Sequence, residues 1–301
     1  MTVIHPDQFL GLAGVGEAEA DAILVPLPFE RTVSYGTGTW RAPRAILDAS
    51  CQIEFFDEET GVDFEERPRL HTLPALLDDA DVESYLQLVR ERVAGLRGKF
   101  VLGLGGEHSV TYGLVMGLAA SPRELTIVHI DAHADLIDAL DGRRWSHGTV
   151  MRRLWEAGCQ LIQVGIRSLS REEYALIARK ERITTVFAHE MQRRWRALLA
   201  RLRQLRGPLY LSVDVDGLDP AVIPHTGTPQ PNGLSWGQAM DVVRAVTEAP
   251  RAHLIGADVV ELVASPHPPG CDLVAARLVM KILAFWWRGR RHRSGARLAK
   301  E

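Results

Sequence analysis

The stretch Leu125-Thr-Ile-Val-His-Ile-Asp131-Ala-His133-Ala-Asp135 decides how the chain is read. Its apolar run, Leu125 to Ile130, has the length of a buried strand and gives way at once to metal-competent side chains at i, i+2 and i+4. In extended backbone these face the same way, because successive side chains alternate. A second stretch repeats the logic. Leu209-Tyr-Leu211 runs into Ser212-Val-Asp214-Val-Asp216-Gly-Leu-Asp219-Pro220, again with carboxylates two positions apart.

Outward from these stretches, short apolar runs alternate with longer amphipathic segments along nearly the whole chain. That alternation predicts an α/β protein with a mostly parallel sheet covered by helices on both faces. Strands are expected at Ala22 to Leu27, Phe100 to Leu104, Leu125 to Ile130, Leu161 to Ile166, Ile183 to Phe187, Leu209 to Val215 and Leu254 to Val260. Helices are expected at Ala42 to Ala49, Val82 to Leu96, Ser109 to Ala119, Thr149 to Ala157, Glu172 to Lys180, Met191 to Leu205, Trp236 to Thr247 and Leu273 to Phe285. No repeat or linker divides the chain, so one domain over 1–301 is expected, with a basic tail from about 288.

Composition fits a globular enzyme: 301 residues, 46% hydrophobic and 24% charged. The net charge of -3 conceals acidic segments, Glu54 to Glu59 and Asp78 to Asp81, and a basic end from Arg288 to Lys300. A nucleic-acid protein would be basic as a whole, so no nucleic-acid partner is expected. Cys51, Cys159 and Cys271 are far apart and form no Cys-x-x-Cys pair, which speaks against both a disulfide framework and a thiolate zinc site. The N-terminus carries no signal or transit pattern, and no run of about 18 apolar residues occurs. A cytoplasmic protein with no membrane partner is expected.

The polar residues of interest follow predicted strands. They are Gly103-Leu-Gly105-Gly106-Glu107-His108-Ser109, Asp131 to Asp135, Asp214 to Pro220, and Glu261. In open α/β sheets ligands bind beyond the carboxyl ends of the strands, so one shared crevice is expected there. If His108, Asp131, His133, Asp135, Asp214 and Asp216 meet in it, the carboxylates cannot all stay ionised without cations. Two divalent ions would balance them, and an oxygen and imidazole shell without thiolate tilts the choice toward manganese. Two ions roughly 3.5–4 Å apart can hold a hydroxide between them, which points to hydrolysis. The glycines before His108 lack both nucleotide-loop patterns and are expected to form a tight turn.

These motifs, together with Ser146-His147-Gly, Thr226-Gly-Thr228-Pro and Asp258-Val-Val-Glu261, resemble in order the full series of the arginase/agmatinase (ureohydrolase) family, from about Pro26 to Leu283. The resemblance implies a three-layer α/β/α fold, two Mn2+ per subunit, hydrolysis of a small-molecule guanidino compound to urea and an amine, and a homotrimer or homohexamer. It assigns His108 and Asp135 mainly to one metal and His133 and Asp216 to the other, with Asp131 and Asp214 bridging. It implies a catalytic role for Glu261, which would hold the guanidinium, and for His147, which would move protons; Thr228 would bind substrate.

The segments Pro28 to Arg44 and Asp138 to His147 look more like agmatinases than arginases, so agmatine is the first expectation, yielding putrescine. Guanidinobutyrate, aminopropylagmatine and arginine are alternatives, and an inactive scaffold is a further one. Asp138 or Asp141 is a candidate partner for a distal amine, whereas Arg143 and Arg144 would suit a carboxylate-ended substrate. His225 is a candidate for the pocket mouth. Other features are expected to be structural. His129 is read as a satisfied core histidine, and His5, His71, His189, His253 and His292 have no metal spacing. His267 and Cys271 are read as incidental in a Pro-rich loop. Met191 to Arg206 reads as a surface helix packed on the sheet, and the Arg-rich end as a solvated tail after an apolar helix end.

Overall fold

Apolar side chains on both faces of every predicted strand require cover on both sides, and the computed structural model, which describes residues 4–264 and 270–298, supplies it. The strands are β1 Ala22–Leu27, β2 Phe56–Asp57, β3 Val62–Asp63, β4 Leu70–Thr72, β5 Phe100–Gly105, β6 Thr126–Ile130, β7 Gln160–Ile166, β8 Ile183–Phe187, β9 Arg206–Asp214 and β10 Arg251–Val260. The helices are α1 Ala42–Ser50, α2 Val82–Ala94, α3 Val110–Leu118, α4 Val150–Glu156, α5 Arg171–Ala178, α6 Met191–Arg203, α7 Trp236–Thr247 and α8 Gly270–Leu298. Eight strands form one sheet in the order β4-β1-β5-β10-β9-β6-β7-β8. All its pairs are parallel.

One buried cluster joins the sheet to α1, α6, α7 and α8. A second joins its other face to α2, α3, α4 and α5. Within β1 the alternation is direct, with Leu24 in the first cluster and Ile23 and Val25 in the second. This is the three-layer α/β/α arrangement. Helix starts follow local chemistry: Ser170 and Glu173 form a capping box at α5, and Ser235 and Gln238 do so at α7. The stripe expected on α6 is buried at Leu198, Leu199 and Leu202.

Three short strands escape the apolar pattern. The edge strand β4 is only three residues long. Its outer edge is closed by a side chain, because Gln8 Nε2 donates to Thr72 O at 3.1 Å and Thr72 N donates to Gln8 Oε1 at 2.9 Å. The β2–β3 hairpin grows out of the acidic segment Glu54 to Glu59.

That hairpin meets the C-terminal helix. Lys281 is 3% exposed and its Nζ lies 2.7 Å from Oδ2 of fully buried Asp57. Glu58 pairs with Arg277 and Lys281, and Glu59 with Lys281 and Arg244. The helix expected to end at Phe285 runs on to Leu298 as α8, while Arg290, Arg291 and His292 are exposed, as expected of a solvated basic end. Arg288 Nε donates to Glu248 Oε1 at 2.7 Å, and Arg293 Nη1 to Thr247 O at 2.8 Å. Gly289 permits this approach, since a Cβ there would lie 2.3 Å from Thr247 O. None of the described helices is long and apolar enough to cross a membrane.

Burial alone would raise the Asp57 carboxyl, but Lys281 and the Thr60 hydrogen bonds hold it below the usual carboxylate range. A depressed carboxyl contributes stability above its unfolded-state value, and that contribution is lost as pH falls through the folded one. Lys281→Met leaves the buried Asp57 carboxylate with only the more distant Arg277, at 3.7 Å, as a cationic partner and is expected to cost about 3 kcal/mol at neutral pH. Urea unfolding midpoints measured at neutral and acid pH check this, with the difference from the unaltered protein shrinking at acid pH.

Candidate metal centre and active site

The candidate ligands come from the loops after β5, β6 and β9, and Glu261 follows β10. These four strands are neighbours at the centre of the sheet, in the order β5-β10-β9-β6, so sequence-distant segments meet beyond their carboxyl ends. His108, Asp131, Asp135, Asp214 and Asp216 are all buried, and the His133 side chain is 25% exposed.

His108 Nδ1 lies 3.3 Å from Asp131 Oδ2, 3.0 Å from Asp135 Oδ2 and 3.3 Å from Asp214 Oδ2. His133 Nδ1 lies 3.0 Å from Asp216 Oδ2 and 3.6 Å from Asp131 Oδ1. Asp131 belongs to both of the ligand groupings that the geometry defines among the described residues, one with His108, His129 and Asp135, the other with His133 and Asp216, while Asp214 falls in neither. Asp214 Oδ1 accepts Asp216 N at 2.8 Å, which sets the second pair of carboxylates.

The electrostatics describe a cluster of buried, mutually repelling carboxylates that could hold a cation. Burial and the charges of Asp216 and Asp131 push the Asp214 carboxyl well above its ordinary range, and burial with Asp131 raises Asp216. Burial would likewise raise Asp131, but His129, His108 and His133 hold it well below. Burial would depress both ligand imidazoles; their carboxylate neighbours instead lift His108 well above its usual value and His133 to about 12. The carboxylates thus draw positive charge onto the rings.

Neighbouring hydrogen bonds fix which nitrogens face the cluster. Ser212 Oγ donates to Asp258 Oδ1 at 2.7 Å, so it accepts from His108 Nε2 at 2.9 Å. The neutral ring then carries its proton on Nε2, and Nδ1 presents a lone pair to the carboxylates. Nδ1 is buried and has no hydrogen-bond partner among the described residues. A lone pair facing three carboxylate oxygens fits a cation at that point. Asp258 also accepts from Tyr210 Oη and Thr111 Oγ1, each at 2.8 Å.

His129 is buried and hydrogen-bonded, as a core histidine should be, but its partner is a candidate ligand. Its Nε2 donates to Asp131 Oδ2 at 2.7 Å, and its Nδ1 accepts from Gln163 Nε2 at 3.2 Å. Gln163 in turn binds Ala134 O at 2.7 Å and accepts from Thr185 Oγ1 at 3.0 Å. Reading His129 as core filler missed this; its i−2 position from Asp131 on one strand face was the available signal.

Backbone geometry marks the same residues. Asp135 and Glu261 have φ values of 53° and 63°, left-handed conformations that non-glycine residues hold only when their surroundings enforce them. The chain bends and turns over residues 106–109 before α3, as expected, and Gly106 has a second reason to be glycine. A Cβ there would lie 2.1 Å from Phe29 O, so its role is close approach of the β1 loop.

A cavity of about 230 Å³ opens over the cluster and is lined by His147, Thr228 and Glu261 among others. Glu261 Oε1 accepts His108 N at 2.6 Å, and burial raises its carboxyl well above the ordinary range. Thr228 Oγ1 donates to Asp216 Oδ2 at 3.3 Å. His147 Nδ1 lies 3.1 Å from Thr32 Oγ1 and its Nε2 3.1 Å from Ser34 Oγ. Ser34 lines the cavity too, and neither hydroxyl was singled out by sequence.

The loop residues considered for the substrate tail are placed differently from expectation. Asp138 Oδ1 is bound by Arg153 Nη2 at 2.5 Å, and Asp141 sits exposed in a left-handed turn with φ 50°. Arg144 pairs with Glu156 at 3.2 Å. None of Asp138, Asp141, Arg143, Arg144 and His225 lines the cavity. His267 lies outside the described residues, and Cys271 is a buried free thiol. A larger cavity of about 1070 Å³ beside β4, walled by Trp40, Pro43, Leu47 and Leu73, contains none of the candidate residues.

Comparison with known proteins agrees with this geometry. The sequence matches the profile described as "Arginase family" over residues 20–284. It is 33% identical to the N(1)-aminopropylagmatine ureohydrolase of Synechocystis sp., across 95% of this chain and 96% of that protein. It is 38% identical to the N(1)-aminopropylagmatine ureohydrolase of Thermus thermophilus, across 87% and 88%. The crystal structure of the agmatine ureohydrolase of Thermoplasma volcanium superposes with a TM-score of 0.85 at 26% identity, covering 97% of this chain and 96% of that one. A sheet whose central strands end in this cluster, with these relatives along nearly its whole length, places the chain in the arginase family as an agmatinase-like ureohydrolase.

Proposed function

We propose that the protein hydrolyses a guanidino compound with a cationic tail to urea and an amine. N(1)-aminopropylagmatine is the first substrate, and agmatine, which would yield putrescine, the second. The observation that carries this is the cavity wall. Among its described lining residues there is no Lys or Arg, while Glu173 and Glu261 join the candidate ligand carboxylates there. A carboxylate-ended substrate such as guanidinobutyrate or arginine would meet no fixed positive partner. The relatives at 33% and 38% identity that are named for aminopropylagmatine favour the longer polyamine tail over agmatine.

Two divalent cations, manganese first, would be held by His108 and Asp135 on one side and by His133 and Asp216 on the other, with Asp131 and Asp214 between. When bound there they would supply the positive charge that makes water nucleophilic near neutral pH. The chain's own groups do the rest. Glu261, with Oε1 fixed by His108 N, offers its other oxygen to the planar guanidinium. Thr228 lines the same wall. As oxygen adds to the guanidinium carbon and the bond to the tail nitrogen breaks, that nitrogen takes up hydrogen, and His147 is the imidazole placed at the cavity to deliver it.

Urea release by the manganese-loaded protein, measured across aminopropylagmatine, agmatine, guanidinobutyrate and arginine, tests the reading. The cationic-tailed compounds should give the highest kcat/KM, and a clear preference for arginine or guanidinobutyrate would overturn it. His108→Ala and Asp216→Ala should lose both bound metal and turnover. Glu261→Ala should keep its metal and lose about 10²–10³ in kcat/KM. Ser212→Ala removes the acceptor of His108 Nε2, so equilibrium dialysis should show metal affinity weakened by about 10–100-fold without loss of the fold.

A further inference from the structure

We propose that Thr32 and Glu107 fix the tautomer of His147, making Nε2 the nitrogen that gives and recovers the proton; this rests on reading His147 as the proton donor to the leaving amine. Glu107 is fully buried and acts as an acceptor throughout. Its Oε2 accepts Arg31 N at 2.6 Å and Thr32 N at 2.7 Å, and its Oε1 accepts Ser109 Oγ at 2.6 Å and Thr32 Oγ1 at 2.9 Å. The single hydrogen of the Thr32 hydroxyl is therefore spent on Glu107. Its two lone pairs face His147, one towards the backbone N at 3.1 Å and one towards Nδ1 at 3.1 Å. Both can only be accepted bonds, so Nδ1 carries a hydrogen.

With Nδ1 committed, only Nε2 can change its protonation. It faces Ser34 Oγ at 3.1 Å, and Ser34 is an exposed residue on the cavity wall. In the reaction the water oxygen ends in urea and both water hydrogens end on the departing amine. The adding oxygen gives one hydrogen to the amine nitrogen as its bond to carbon breaks, Nε2–H passes it the other, and Nε2 then regains, through Ser34 or directly from solvent, the hydrogen that the water released on becoming the nucleophile. The opposite tautomer would place an immobile hydrogen on Nε2 and leave nothing there to accept a proton. Thr32 and Glu107 are thus positioning residues acting through His147, neither of them lining the cavity.

Two substitutions reach this arrangement by different routes. Thr32→Val removes the acceptor at nearly constant shape. Glu107→Gln keeps an oxygen for the two backbone N–H groups but turns an NH2 towards Thr32 Oγ1, which must then send its own hydrogen to His147 Nδ1 and invert the ring. In the manganese-loaded enzyme each should lower kcat by about 10²-fold or more, with KM and bound metal unchanged. Thr32→Ser should retain most of the rate. In a His147→Ala background, Thr32→Val should cost nothing further. Wild-type kcat in both Thr32→Val and Glu107→Gln, or a further full loss in the His147→Ala background, overturns the proposal. Absence of urea release from every guanidine by the unaltered enzyme would instead defeat the functional reading itself.

Discussion

Asp131, Asp135, Asp214 and Asp216 are buried together at the ends of the central strands, where charge is expensive to desolvate and like charges repel. Everything around them serves to make that tolerable. Without cations the imidazoles of His108 and His133 are driven towards their charged forms, and Asp214 and Asp216 are driven towards their neutral ones. Divalent ions relieve both tendencies at once. The parallel sheet contributes by satisfying its own backbone, so that loops after β5, β9 and β6 can aim side chains inward without leaving buried polar groups of their own. The left-handed conformations of Asp135 and Glu261 show where the chain departs from comfortable geometry to complete the cluster.

How much of this was legible follows from the range of the interactions. The candidate ligands could be read from sequence because their spacing is local: alternate residues past an apolar run must share a face. The groups that orient them could not, because their contacts are distant in the chain. Ser212 meets His108 across 104 positions, and Thr32 meets His147 across 115. A serine or threonine carries no pattern that announces such a partner. His129 was misjudged for a related reason: burial and satisfaction were foreseen, but not that the satisfying group would be Asp131. Asp138 was one candidate partner for a distal amine, and the reading as a loop acid is the one its contacts favour, since Arg153, from the next helix, engages its carboxylate.

The uneven charge along the chain has a structural answer of the same kind. The acidic hairpin at 56–63 and the basic face of α8 are over 200 residues apart in sequence and meet around the buried Asp57–Lys281 pair. A helix expected to end at Phe285 continues because Arg288 and Arg293 find acceptors on the α7 side and because Gly289 lets the backbones close. Basic residues such as Arg288 and Arg293 look solvated only while their partners are out of view.

Reaction and specificity are carried by different parts of the fold. The reacting side is built from strand ends held by paired hydrogen bonds, and its residue types leave little freedom. The rest of the cavity wall comes from Ser34 after β1, Ile137 and Leu140 after β6, Ser168 and Ser170 after β7, and Glu173 in the first turn of α5. Glu173 shows how closely the two parts adjoin: its Oε1 accepts Leu136 N at 2.9 Å, one residue past Asp135, and its Oε2 accepts Ser170 N at 2.6 Å. A carboxylate held by two backbone donors is fixed in place while still lining the cavity.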